Sequence, residues 1–155
     1  MEKIAVFPGS FDPFTFGHKN IVDRALPLFD AIIIAIGVNA EKETMFSLDQ
    51  RIAGIASLFI QEPKVRIMEY TGLTVDFCNK QRARFIIRGV RNSIDFEYEK
   101  AIAHINKEIG SGIDTFFLCS DPEFADVSST IIRDLHRNGR DISKYVPFLL
   151  VKKHD

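Results

Sequence analysis

At 155 residues, 46% hydrophobic and 26% charged, the chain has the size and balance of one globular domain that buries a core without disulfide or metal staples. Its formal net charge of -1 excludes a field strong enough to draw the whole molecule onto nucleic acid or an anionic membrane. No apolar run is long enough to span a bilayer, and Met1–Val6 enters a strand-like run without a signal-peptide layout, so the cytoplasm is the expected compartment.

The first strand-like run, Ile4–Phe7, leads into Pro8-Gly9-Ser10-Phe11-Asp12-Pro13-Phe14-Thr15-Phe16-Gly17-His18. Two glycines and two prolines fix a tight path into a helix, where Ile21, Val22, Ala25 and Leu28 keep helical spacing. A helix start presents unpaired N–H groups and a partial positive charge, which suits a phosphate. His18 stands at that terminus with Ser10 across the loop. A capping histidine and a turn-satisfying serine explain the same pair equally well. The loop is neither GxGxxG nor GxxxxGK[ST], so neither dinucleotide nor P-loop chemistry is signalled.

The second run, Ala31–Ile36, ends in Val38–Thr44, where position at a strand's carboxyl end sets Lys42 above an ordinary solvated lysine. Ser47-Leu48-Asp49-Gln50 is a capping box before Ile52, Ile55, Ala56 and Phe59. The third run, Val65–Met68, leads to Tyr70–Thr74 and a short helix from Thr74 through Gln81. Cys78 on that helix and Cys119 further on sit in apolar stretches outside any CxxC, and both read as buried reduced thiols.

The fourth run, Phe85–Ile87, ends in Arg88-Gly89-Val90-Arg91. Arginine forks match phosphate oxygens and the glycine admits close backbone approach, a better account of the pattern than packing. A helix from near Asn92 to Gly110 opens with Asp95-Phe96-Glu97-Tyr98-Glu99, and acids in a first turn suit the macrodipole. After the fifth run, Thr115–Leu118, Ser128-Ser129-Thr130 opens a last helix that ends at Asn138-Gly139. One hydroxyl caps a helix; three make a second anion-binding terminus. His104 reads as a packed or interface histidine, and His136 and His154 as surface residues.

Five strands alternating with helices imply βαβ crossovers, an α/β fold with a mostly parallel, doubly wound five-stranded sheet, and a single domain over residues 1–155. In such sheets ligands gather at the carboxyl ends of the strands, beside the switch in strand order.

The residues quoted above form a recognisable set. Gly9-Ser10-Phe11-Asp12-Pro13 with Thr15-Phe16-Gly17-His18 resembles the (T/H)xGH signature of the nucleotidylyltransferase superfamily. Lys42, Met45-Phe46, Arg51, Arg88-Gly89-Val90-Arg91, Asp95–Glu99 and Val127–Thr130 resemble the pattern of the bacterial phosphopantetheine adenylyltransferases over nearly the whole chain. The resemblance implies a Rossmann-like fold, ATP and 4'-phosphopantetheine as substrates, and dephospho-CoA and pyrophosphate as products. It also implies Mg²⁺ bound through substrate phosphates, a homohexamer built as a dimer of trimers, and feedback by coenzyme A. By position it assigns Ser10, Lys42, Thr74 and Arg88 to phosphopantetheine. It assigns Ser10, Phe11, His18, Gly89, Val90, Arg91, Glu99, Phe124, Ala125, Asp126, Val127, Ser128, Ser129 and Thr130 to ATP. His18 would stabilise the transition state, helped by Lys42, Arg88 and Arg91. Ser10 stands where many members carry threonine, Thr74 where many carry an apolar residue, and Thr130 where serine is common. Two alternatives remain open at this point: another nucleotidylyltransferase, such as a glycerol-3-phosphate cytidylyltransferase, or a non-catalytic adenine-nucleotide sensor.

Overall fold

The computed structural model describes residues 1–148; His154 lies outside them. Strands β1 (Ile4–Gly9), β2 (Ala31–Gly37), β3 (Val65–Tyr70), β4 (Phe85–Val90) and β5 (Asp114–Cys119) form one parallel sheet in the order β3-β2-β1-β4-β5. The helices are α1 (Phe16–Ala25), α2 (Leu48–Leu58), α3 (Thr74–Lys80), α4 (Ser93–Ile109) and α5 (Ser129–Arg137). Single 3₁₀ turns at Leu26–Leu28 and Pro122–Phe124 were not anticipated from the sequence. Each stands where a proline fixes φ in a short connection.

Strands β1 and β2 and the first half of β4 are apolar because both of their faces are covered. Ala5, Phe7, Ile32, Ile34, Ile36 and Ile87 pack with Ile21, Val22 and Ala25 of α1 and Ile55 of α2. Ile4, Val6, Ala31, Ile33, Ala35 and Ile86 pack on the other face with Val75, Phe77 and Cys78 of α3. Burial pushes the Cys78 thiol up to about 12, so it stays protonated and inert at neutral pH. The edge strands differ: β5 alternates between half-buried and exposed positions, and Cys119 is exposed rather than buried. An edge strand has only one neighbour to shield it, so a run apolar enough to suggest full burial still leaves residues outside. His136 also departs from expectation, lying half-buried with its ring 5.4 Å from that of Phe46.

The chain winds outward from β1 through β2 to β3, then returns to place β4 on the other side of β1. The order therefore reverses between β1 and β4, and a crevice opens above their carboxyl ends. Helix α4 buries none of its residues in this chain, although Ile94, Tyr98, Ile105 and Ile109 are apolar and exposed.

Candidate active site

The loop after β1 is held in a conformation that few sequences tolerate. Phe11 has φ +47° and is 3% exposed, and its ring lies over Gly9, where an added Cβ would meet it at 2.9 Å. A buried aromatic residue in the left-handed region stays there only where its surroundings over-determine it, which is a mark of functional sites. Thr15 then caps α1, accepting from the His18 N–H at 3.2 Å. The Thr15 N–H in turn donates to His18 Nδ1 at 3.0 Å. Capping and function thus coincide in His18, because a ring nitrogen that accepts this bond carries no proton and leaves the proton on Nε2. The ring lies among Phe7, Phe11 and Phe14, with centroids 5.0 to 6.1 Å away. That burial, reinforced by the charges of Arg88 and Arg91, lowers the His18 pKa from 6.5 to about 3. His18 is therefore a neutral N–H donor at physiological pH.

His18 opens into a cleft of about 350 Å³ lined also by Ser10, Phe11, Gly17, Gly89, Arg91, Asp95, Phe124 and Val127 through Thr130. The N–H groups of Ser129 and Thr130, in the first turn of α5, have no carbonyl one turn earlier to bond. Ser128 caps the helix by accepting from the Ile131 N–H at 3.2 Å, and Ser129 Oγ donates to the Pro13 carbonyl at 2.8 Å. The third hydroxyl, Thr130 Oγ1, accepts from Arg133 at 3.2 Å. Gly89 is needed for close approach: a Cβ there would lie 3.1 Å from Ile21 Cγ1. Arg91 is aimed by Asp95, whose Oδ2 accepts from its Nε at 3.1 Å and its backbone N–H at 3.2 Å. Asp95 thus does more than answer the helix dipole.

A second cleft, of about 460 Å³, adjoins the first. Lys42, Asn39, Tyr70, Thr74, Asn106 and Thr115 contribute its polar groups, and Ile102 and Ala103 of α4 give an apolar wall. The Thr74 hydroxyl is hydrogen-bonded to the Tyr70 hydroxyl at 2.9 Å. Pro8, Gly9, Ser10, Arg88 and Glu99 line both clefts. Arg88 is fixed on this shared wall by the Pro8 carbonyl at 2.8 Å and by both Glu99 oxygens, at 2.9 and 2.7 Å.

His18, Ser10, Arg88, Arg91 and the start of α5 therefore converge on the first cleft, and Lys42 and Thr74 meet Ser10 and Arg88 in the second. Val90, 6% exposed, and Ala125 and Asp126 line neither cleft, while Glu99 has both oxygens engaged by Arg88. Asp12, Thr15 and Arg51 stand within the segments that carry the family resemblance, but the sequence assigned them no individual role; Thr15 is the cap of α1, and Asp12 and Arg51 are buried. Sequence reasoning missed Asn106, although Glu99, Ile102, Ala103 and Asn106 fall at i, i+3, i+4 and i+7 on one helical stripe.

Residues 6–135 match the cytidylyltransferase-like family model. The phosphopantetheine adenylyltransferase of Flavobacterium psychrophilum is 55% identical over 143 residues, covering 92% of this chain and 94% of the relative. That of Leptospira biflexa is 46% identical over 157 residues, covering 99% and 98%. This chain belongs to the phosphopantetheine adenylyltransferase family. Within the nucleotidylyltransferases the fold extends further. The bifunctional NMN adenylyltransferase/ADP ribose pyrophosphatase from Francisella tularensis superposes with a TM-score of 0.73 at 20% identity, over 94% of this chain and 45% of that one. At that identity the likeness bears on the fold alone. Among the described residues no helix is long and apolar enough to cross a membrane.

Proposed function

We propose that this chain carries out its family's reaction as a single nucleotidyltransferase domain over residues 1–155, transferring adenylyl from ATP to 4'-phosphopantetheine in the cytoplasm. The products are dephospho-CoA and pyrophosphate, on the route to coenzyme A. A phosphate oxygen of phosphopantetheine attacks the α-phosphorus; that O–P bond forms as the bond to the β-phosphate oxygen breaks and pyrophosphate leaves. The nucleophile is already ionised at neutral pH, so no general base is needed, and catalysis rests on alignment and charge neutralisation.

The observation that carries this reading is the His18 ring, locked with Nδ1 as acceptor at 3.0 Å from the Thr15 nitrogen, beside the wall that joins the two clefts. Its Nε2–H donates to the α-phosphate as charge builds there. Lys42 and Arg88 orient the nucleophile from the second cleft, with Ser10 and Thr74 beside it. Arg91 and the start of α5 hold the β- and γ-phosphates, with Phe11, Gly89, Glu99, Phe124 and Val127 to Thr130 lining the nucleotide's cleft and Val90, Ala125 and Asp126 in the backbone segments behind them. The carboxylates that line the first cleft, Asp95 and Glu99, are paired with arginines, and the described residues hold no group of three or more potential metal ligands. Such a donor set would leave Mg²⁺ to be held through substrate phosphates and water, and the ion would supply neutralisation of developing charge.

Assembly into a homohexamer, a dimer of trimers, is supported by the exposed apolar face of α4, which finds no cover in its own chain. Feedback by coenzyme A follows from its likeness to the product. The deciding assay is pyrophosphate release from ATP with and without 4'-phosphopantetheine, and with CTP replacing ATP. Release that depends on the acceptor and prefers ATP is expected. Preference for CTP points to a cytidylyltransferase, and no release with any acceptor to a nucleotide sensor.

A further inference from the structure

The Asp12–Pro13 dipeptide touches both halves of the site without lining either cleft. Asp12 is 2% exposed and Arg51 4%. The two Asp12 carboxylate oxygens accept from the backbone N–H groups of Met45 and Phe46, each at 2.9 Å. Arg51 takes the next peptide of the same segment, donating from Nε to the Phe46 carbonyl at 3.2 Å and from its terminal nitrogen to the Ser10 carbonyl at 2.7 Å. On its other side the dipeptide holds α5: the Asp12 carbonyl accepts from Arg133 at 2.9 Å and the Pro13 carbonyl from Ser129 Oγ at 2.8 Å. Two buried, oppositely charged groups are a costly way to stabilise a core, since apolar residues of similar size often serve as well. What they add is a fixed register between segments far apart in sequence.

Lys42 lies three residues before Met45, in a turn closed on its other side by its own N–H to the Asn39 carbonyl at 3.0 Å. Its side chain is exposed and has no ion-pair partner among the described residues. The position of the ammonium therefore depends on how firmly the 45–46 peptides are held.

We propose that Asp12 and Arg51 are positioning residues that set Lys42 against Ser10, and through Arg133 and Ser129 keep that setting in register with α5. The proposal rests on the adenylyl-transfer reading, in which Lys42 orients the acceptor phosphate. It predicts a defect on the acceptor side alone. In Asp12→Asn one side-chain oxygen still accepts, but the new NH₂ group opposes the second backbone N–H and leaves it unsatisfied. We expect kcat/KM for 4'-phosphopantetheine to fall about 3- to 10-fold, no further than loss of Lys42 itself, while KM for ATP stays within about twofold. In a Lys42→Ala background the same change should cost less than about twofold, because the group it positions is gone. Amide hydrogen exchange at Met45 and Phe46 should accelerate about tenfold or more, a readout independent of turnover. Equal losses with and without Lys42, or a matching rise in KM for ATP, overturn the proposal, as does unchanged exchange. If Asp12→Asn fails to fold, Arg51→Gln carries the same three readouts. A wild-type chain that does not adenylylate phosphopantetheine defeats the functional reading, while the exchange result still tests the clamp.

Discussion

In the first cleft, the donor side of the proposed reaction, the groups available to a ligand are mainly backbone ends: the starts of α1 and α5, capped by Thr15 and Ser128, with His18 pinned by the cap itself. In the second cleft, the acceptor side of the proposed reaction, they are long side chains, an exposed lysine and an arginine held by Pro8 and Glu99. The first kind of site is preorganised by local structure and loses little entropy when it binds. The second must be aimed by tertiary contacts, and so it is the half more open to tuning.

Changes on either side test this contrast. The largest effect is expected for His18→Gln. Glutamine at the third helical position can still close a capping box, so the fold survives, but the Nε2–H donor is lost. We expect kcat to fall about 10²–10³-fold, with melting temperature and ATP affinity little changed; near-normal turnover removes His18 from its role. Arg88→Ala comes next, because this residue belongs to both clefts and its loss strands the Glu99 carboxylate. A fall of about 10²-fold in kcat/KM measured with either substrate is expected, and a defect confined to one substrate breaks the shared-wall picture.

The third test is pH. His18 has a folded pKa near 3 against an ordinary 6.5, so the unfolded chain binds the extra proton between those values. Its contribution to stability is complete above 6.5 and is lost progressively as pH falls toward 3, about 2 kcal/mol of it by pH 5. Urea melts of the wild type and His18→Gln at pH 7 and 5 should differ by that amount, with the variant the less sensitive to acid; parallel behaviour argues against a buried neutral ring. Lys42→Ala is the mildest on turnover. An exposed point charge should cost about tenfold, mostly in KM for phosphopantetheine, and the loss should shrink as salt is raised. Equal damage at high salt implies a more enclosed lysine than the structure shows.

Much of the donor half was legible in the sequence because its determinants are local. Gly9 through His18 carries its own turn and cap, and Ser128 is a preferred cap residue at the start of α5. The acceptor half was only partly legible. Lys42 was flagged by its place after a strand, but an exposed lysine in the chain looks like any other. Asp12 and Arg51 were quoted only as part of the family pattern, and nothing in their neighbours reports that both are buried. Cys119 was misread because an apolar run does not reveal whether its strand is central or at an edge.

Hydrophobic runs, caps and glycines by themselves determined the five strands, the five helices and the two phosphate-ready helix starts, since each depends on residues within a turn or two of one another. Only the tertiary structure decided that β4 returns beside β1, that Arg88 stands on a wall common to two clefts, and that His18 is buried enough to stay neutral. Those properties depend on contacts between elements that are separate in the chain, which loop closure and packing set together and no local pattern encodes.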